Sequence, residues 1–76
     1  MRKEVAEFAE SMEARLVEHE YKGGWQECSI DFLISQLRLN VAHLQIAIHA
    51  GASKERLIKQ AADVANYAMM IADRWR

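Results

Sequence analysis

Residues 29–51 read SIDFLISQLRLNVAHLQIAIHAG, and this stretch decides the fold. Ser29 is an N-cap residue by type, and Asp31 falls in the first turn, where negative charge favours the helix dipole. Gly51 supplies the left-handed residue that ends a helix, and no glycine or proline interrupts the run between. At 100° per residue Ile30, Leu33, Leu37, Val41, Leu44 and Ile48 form one apolar stripe. Phe32, Leu39 and Ile46 recur at heptad spacing and fall on nearly the opposite side. Asp31, Arg38, Gln45 and His49 make one polar flank; Gln36, Asn40, His43 and Ala47 make the other. A helix apolar on two sides cannot bury both within a small chain. One side, carrying Phe32, Leu39 and Ile46, is therefore expected to meet another subunit.

Helices are expected on both sides of this one. Over residues 2–21, Val5, Phe8, Ala9, Met12, Leu16 and His19 recur at steps of three and four. Glu4, Glu7, Glu10, Glu13 and Glu18, with Arg2, Lys3 and Arg15, occupy the remainder as a solvated surface. Gly23-Gly24 is expected to end this helix, and Trp25 to plug the following loop onto the core. Beyond Gly51, Ser53 can cap a third helix with Glu55 in its first turn. Its stripe is Leu57, Ala61, Val64, Ala68, Ile71 and Trp75, widened by Ile58, Ala62, Ala65, Met69 and Ala72. Arg56, Gln60, Asp63, Tyr67 and Arg74 share a polar flank. The fold class is all-α: a three-helix chain completed by oligomerisation, as a dimer or tetramer.

Composition narrows the function classes. Seventy-six residues allow one domain, spanning 1–76, and leave a lone chain short of buried surface. Ten Lys and Arg against eleven Asp and Glu give a net charge of −1, so no field recruits nucleic acid or anionic membrane. No run reaches the ~18–20 apolar residues of a membrane span, and the charged opening does not read as a signal peptide. Cys28 alone cannot build a disulfide framework, which suits a reducing compartment. A cytoplasmic location is expected.

The string QAADVANYAMMIAD at residues 60–73 resembles the third helix of phage and bacterial MazG-like proteins, all-α nucleoside triphosphate pyrophosphohydrolases. Lys22-Gly23-Gly24-Trp25, followed by a leucine-rich helix, is similar to small phage members of that family. The resemblance runs from about Phe8 to the end of the chain. It implies a MazG-like helical bundle. It also implies a site in which Glu-Glu-x-x-Glu on the second helix and Glu-x-x-Asp on the third converge on Mg²⁺, which binds the triphosphate and activates water.

Here those patterns fall on Leu39-Asn40-Val41-Ala42-His43 and Gln60-Ala61-Ala62-Asp63. Only Asp63 keeps its carboxylate. Asn40 and Gln60 offer neutral oxygens, and His43 offers a nitrogen that Mg²⁺ rarely accepts. Two unit charges ~4–5 Å apart interact by about 3–4 kcal/mol at an effective dielectric of ~20, so one anion in place of about five holds little. The resemblance therefore implies a non-catalytic MazG-like protein, with no cofactor expected. Such a chain binds or sequesters a nucleotide or nucleotide-derived signal, or acts as an oligomeric interaction module. Asn40, His43, Arg56, Gln60, Asp63, Tyr67 and Arg74 are its candidate ligand-binding residues, through Arg forks, amide groups and a stacking ring. Asn66 and Asp73 join them on the resemblance alone. The alternative is an active Mg-dependent pyrophosphohydrolase with Asp63 as metal ligand. His19, His43 and His49 form no metal pattern, and Cys28 lacks a neighbouring base.

Overall fold

Two serine side chains start two of the three helices. In the computed structural model, Ser29 Oγ accepts from the Phe32 amide at 3.1 Å and Ser53 Oγ from the Arg56 amide at 3.2 Å. The structure describes residues 1–20 and 23–76. Its helices are α1 (Lys3–Glu18), α2 (Ile30–His49) and α3 (Lys54–Asp73), and the described residues contain no strand. Gly51 ends α2 at φ +68°, as the sequence predicts. The Gly51 amide bonds the Ile48 carbonyl at 3.2 Å and the Ala52 amide bonds Ala47 at 3.0 Å, the paired reversal that satisfies terminal carbonyls.

The first helix is shorter than expected. It stops at Glu18, with His19 as its C-cap, well before Gly23-Gly24. Glycines mark where a helix cannot continue; the last turn had already tightened, the His19 amide reaching the Leu16 carbonyl at 3.2 Å. The expected end at Tyr21, and Lys22 of the family-like string, lie outside the described residues.

The middle of the molecule is α3, packed on one side by α2 and on another by α1, while α1 and α2 do not pack on each other. An open cleft consequently lies between them, floored by α3. This arrangement corrects the expected faces. Leu33 and Ala47 are the buried residues of α2, with Leu37, Asn40 and Leu44 half-buried between them. Val41 and Ile48, assigned above to the inward stripe, are exposed. The contact face is turned about 40° toward Asn40 and Ala47, because the small Ala47 lets α3 approach more closely than the bulkier Val41 and Ile48 would. In α3 the buried centre is Ala62 and Asn66, while Ala68, Ala72 and Trp75 face outward. In α1 nothing is buried, and Val5 is exposed. Ser11 and Arg15 share the half-buried side of α1 with Phe8, Met12 and Leu16.

Candidate functional site

From the polar flank of α3, Tyr67 lines the cleft while Arg56 and Gln60 line another opening, so the flank's residues do not assemble into one site. Asp63 is held from α1. Arg15 Nε donates to its Oδ1 at 2.9 Å and Arg15 Nη2 to its Oδ2 at 3.0 Å, a bidentate fork between side chains 20% and 16% exposed. Arg15 also contacts Glu18. The hydrogen bond to Asp63 raises the Arg15 pKa above its ordinary value, against the opposing effect of burial. Sequence reasoning placed Arg15 among solvated charges and missed this role. Its signal was the helical wheel: Arg15 borders Phe8 and Met12 on the apolar stripe, where a charge requires a partner.

The other candidates are dispersed. Asn40 Nδ2 donates to the Gln36 carbonyl of its own helix at 2.8 Å. Asn66, only 3% exposed, donates from Nδ2 to the Met12 carbonyl at 3.0 Å and so fastens α3 to α1. Asp73 Oδ2 accepts from the Trp25 indole at 3.1 Å, anchoring the loop that precedes α2. Arg74 donates to the Cys28 carbonyl and ties the end of α3 to the start of α2. Tyr67 stands in a cleft of about 680 Å³ with Leu16, Trp25, Phe32, Leu33 and Met70. Burial chiefly, aided by the charge of Asp63 and by Cys28, raises the Tyr67 phenol above its usual pKa.

Three candidates do meet. His43, Arg56 and Gln60 line a smaller cleft of about 320 Å³ between the end of α2 and the start of α3, with Ile46, Ala47 and Ala52. The Gln60 Oε1 atom there is buried with no hydrogen-bond partner. Cationic and amide groups around a small opening suit an anionic or amide-bearing ligand.

A divalent ion does not fit these donors. Among the described residues no three His, Cys, Asp or Glu side chains group closely enough to hold a metal. Both oxygens of Asp63 are engaged by a guanidinium that an ion would have to displace, and the other carboxylate on that guanidinium, Glu18, is held by the same Arg15. Among the described residues, no helix is long and apolar enough to cross a membrane. Phe32, Leu39 and Ile46, named above as an interface, are 49%, 47% and 65% exposed in the single chain. No protein-family model matches the chain, and neither a curated protein nor a solved structure matches it.

Proposed function

We propose that this chain is a self-associating helical module that works by binding, and that a second copy covers the exposed side of α2. The observation that carries this reading is surface area. A folded monomer of 8.7 kDa exposes about 4,700 Å² by the usual scaling with mass. This chain exposes 5800 Å², an excess of roughly 1,100 Å², where a stable pairwise interface removes about 800 Å² from each partner. The excess includes large apolar side chains: Phe32, Leu39 and Ile46 on one flank of α2, Val41 and Ile48 on the other. Water-exposed apolar surface of this extent marks an interaction surface. Sedimentation equilibrium across 1–100 µM (roughly the range of ordinary association constants) tests it. A dimer or larger assembly is expected, and Leu39→Glu should return it to monomers. A wild-type monomer throughout that range would end the reading.

A second reading is supported by the grouping of His43, Arg56 and Gln60. In it the module also holds a nucleotide-type ligand, with Arg56 and His43 toward phosphate and Gln60 on the wall of the cleft. The likeness of residues 60–73 to a MazG-like third helix supports the same reading: a nucleotide-handling scaffold with its metal-binding acids replaced. Calorimetric titration against nucleoside mono-, di- and triphosphates and cyclic nucleotides tests it. Binding should weaken at least tenfold in Arg56→Ala, and absence of heat with every nucleotide would retire it.

A further inference from the structure

We infer that two copies pair through α2 in antiparallel fashion, with Leu39 on the two-fold axis. This rests on the self-association proposed above and specifies its geometry. The exposed residues Phe32, Leu39 and Ile46 are evenly spaced, and Leu39 lies at the middle of Ile30–His49. Reversing the helix about Leu39 therefore carries Phe32 onto the position of Ile46 and Ile46 onto that of Phe32. The stripe is complementary to itself under a two-fold rotation, as an interface between identical subunits requires.

Two features favour the antiparallel over the parallel pairing. Bulk is one: antiparallel pairing sets a phenyl ring against an isoleucine at both ends, where parallel pairing would crowd two rings at one end. The other is the helix dipoles, which oppose in the antiparallel arrangement and align unfavourably in the other. Charge does not separate the two. Antiparallel pairing brings exposed Asp31 within about two residues' rise, ~3 Å, of the level of the partner's His49, also exposed, on the same flank. It sets the two exposed Arg38 side chains equally near each other, however, whereas parallel pairing places each charge and its copy on opposite flanks. Ser35 and Ala42, one turn to either side of Leu39, are small and exposed, so they allow the two axes to approach closely.

Single cysteines in a Cys28→Ser background, treated with a short bis-maleimide, test the geometry. Leu39→Cys should cross-link to itself as the main product. Phe32→Cys alone and Ile46→Cys alone should give less than about a tenth of that yield, since each lies ~21 Å along the axis from its own copy. A mixture of Phe32→Cys and Ile46→Cys chains should cross-link to each other. Circular dichroism of every variant checks that the helices are intact. Efficient self-linking of Phe32→Cys and Ile46→Cys would overturn the antiparallel pairing in favour of the parallel one. A dimer by sedimentation in which Leu39→Cys fails to link would place the interface on another face. A monomer by sedimentation would instead remove the self-association on which the geometry rests.

Discussion

Arg15 stands between two carboxylates of unequal standing, and the inequality is measurable. Asp63 is a partly buried side chain on α3 whose hydrogen bonds come from Arg15, whereas Glu18 is a more exposed neighbour on α1. Arg15→Leu leaves the Asp63 carboxylate desolvated and unpaired, a loss of about 2–3 kcal/mol. Asp63→Leu leaves Arg15 its contact with Glu18 and a route to solvent, so it should cost at least ~1 kcal/mol less. Urea unfolding of the two variants reads the asymmetry; equal losses would mean that Glu18 and solvent do not compensate Arg15. Tyr67 adds a pH dependence of definite sign. Its folded-state pKa lies above the ordinary 10.0, so the stability due to the neutral phenol is complete below about pH 10. It is lost as the pH rises from there through the raised value. Melting temperature should fall more steeply from pH 9.5 to 11 in the wild type than in Tyr67→Phe, where nothing ionises at that position.

At the scale of the element, helix boundaries were legible where a cap or terminator carried the signal. Ser29, Ser53 and Gly51 each do what their residue type predicts. A methyl group added at Gly51 meets nothing within 4 Å, so Gly51→Ala tests backbone conformation alone. It should lower stability by about 1–2 kcal/mol through the left-handed φ, a shift readable in the urea midpoint. Ser29→Ala should cost about 1 kcal/mol by freeing the Phe32 amide. The end of α1 was not legible, because Glu18 and His19 carry no terminator and the double glycine sets only an outer limit. Helix faces were partly legible. The wheel located two apolar sides of α2, but Ala47 and Asn40 sit near the middle of the contact while Val41 and Ile48 lie outside it. Hydrophobicity alone does not register that a small residue permits close approach. The dispersal of the candidate site has a similar origin: Asp63, Asn66 and Asp73 share a helix with Arg56 and Gln60, yet each is claimed by a group distant in sequence. Arg15, Met12 and Trp25 come from segments whose placement no local pattern records.

For the whole molecule, the decisive quantity is how little one chain buries. Among the described residues Leu33, Ala47, Ala62 and Asn66 are buried, and the radius of gyration of 12.8 Å exceeds the ~11.4 Å usual for a globule of this length. Two helices lean on a third without touching each other, so the cleft between them and the outer side of α2 stay open to water. A core this small leaves a 76-residue chain near the margin of stability, and folding and association should then be one equilibrium. Mass action gives that coupling a magnitude. In a two-state dimer each tenfold rise in concentration adds about 1.4 kcal/mol per dimer, or ~0.7 kcal/mol per chain. For a domain of this size that corresponds to a rise of about 3–5 °C in melting temperature per decade. Leu39→Glu places a carboxylate at the centre of the paired stripe. It should therefore melt lower than the wild type and at a temperature independent of concentration. Calorimetric scans from 5 to 500 µM (about two decades, enough for a shift of ~6–10 °C) make the comparison. A wild-type midpoint unchanged over that range would show that the small core of one chain suffices for its folding, and that the exposed face of α2 contributes nothing to it.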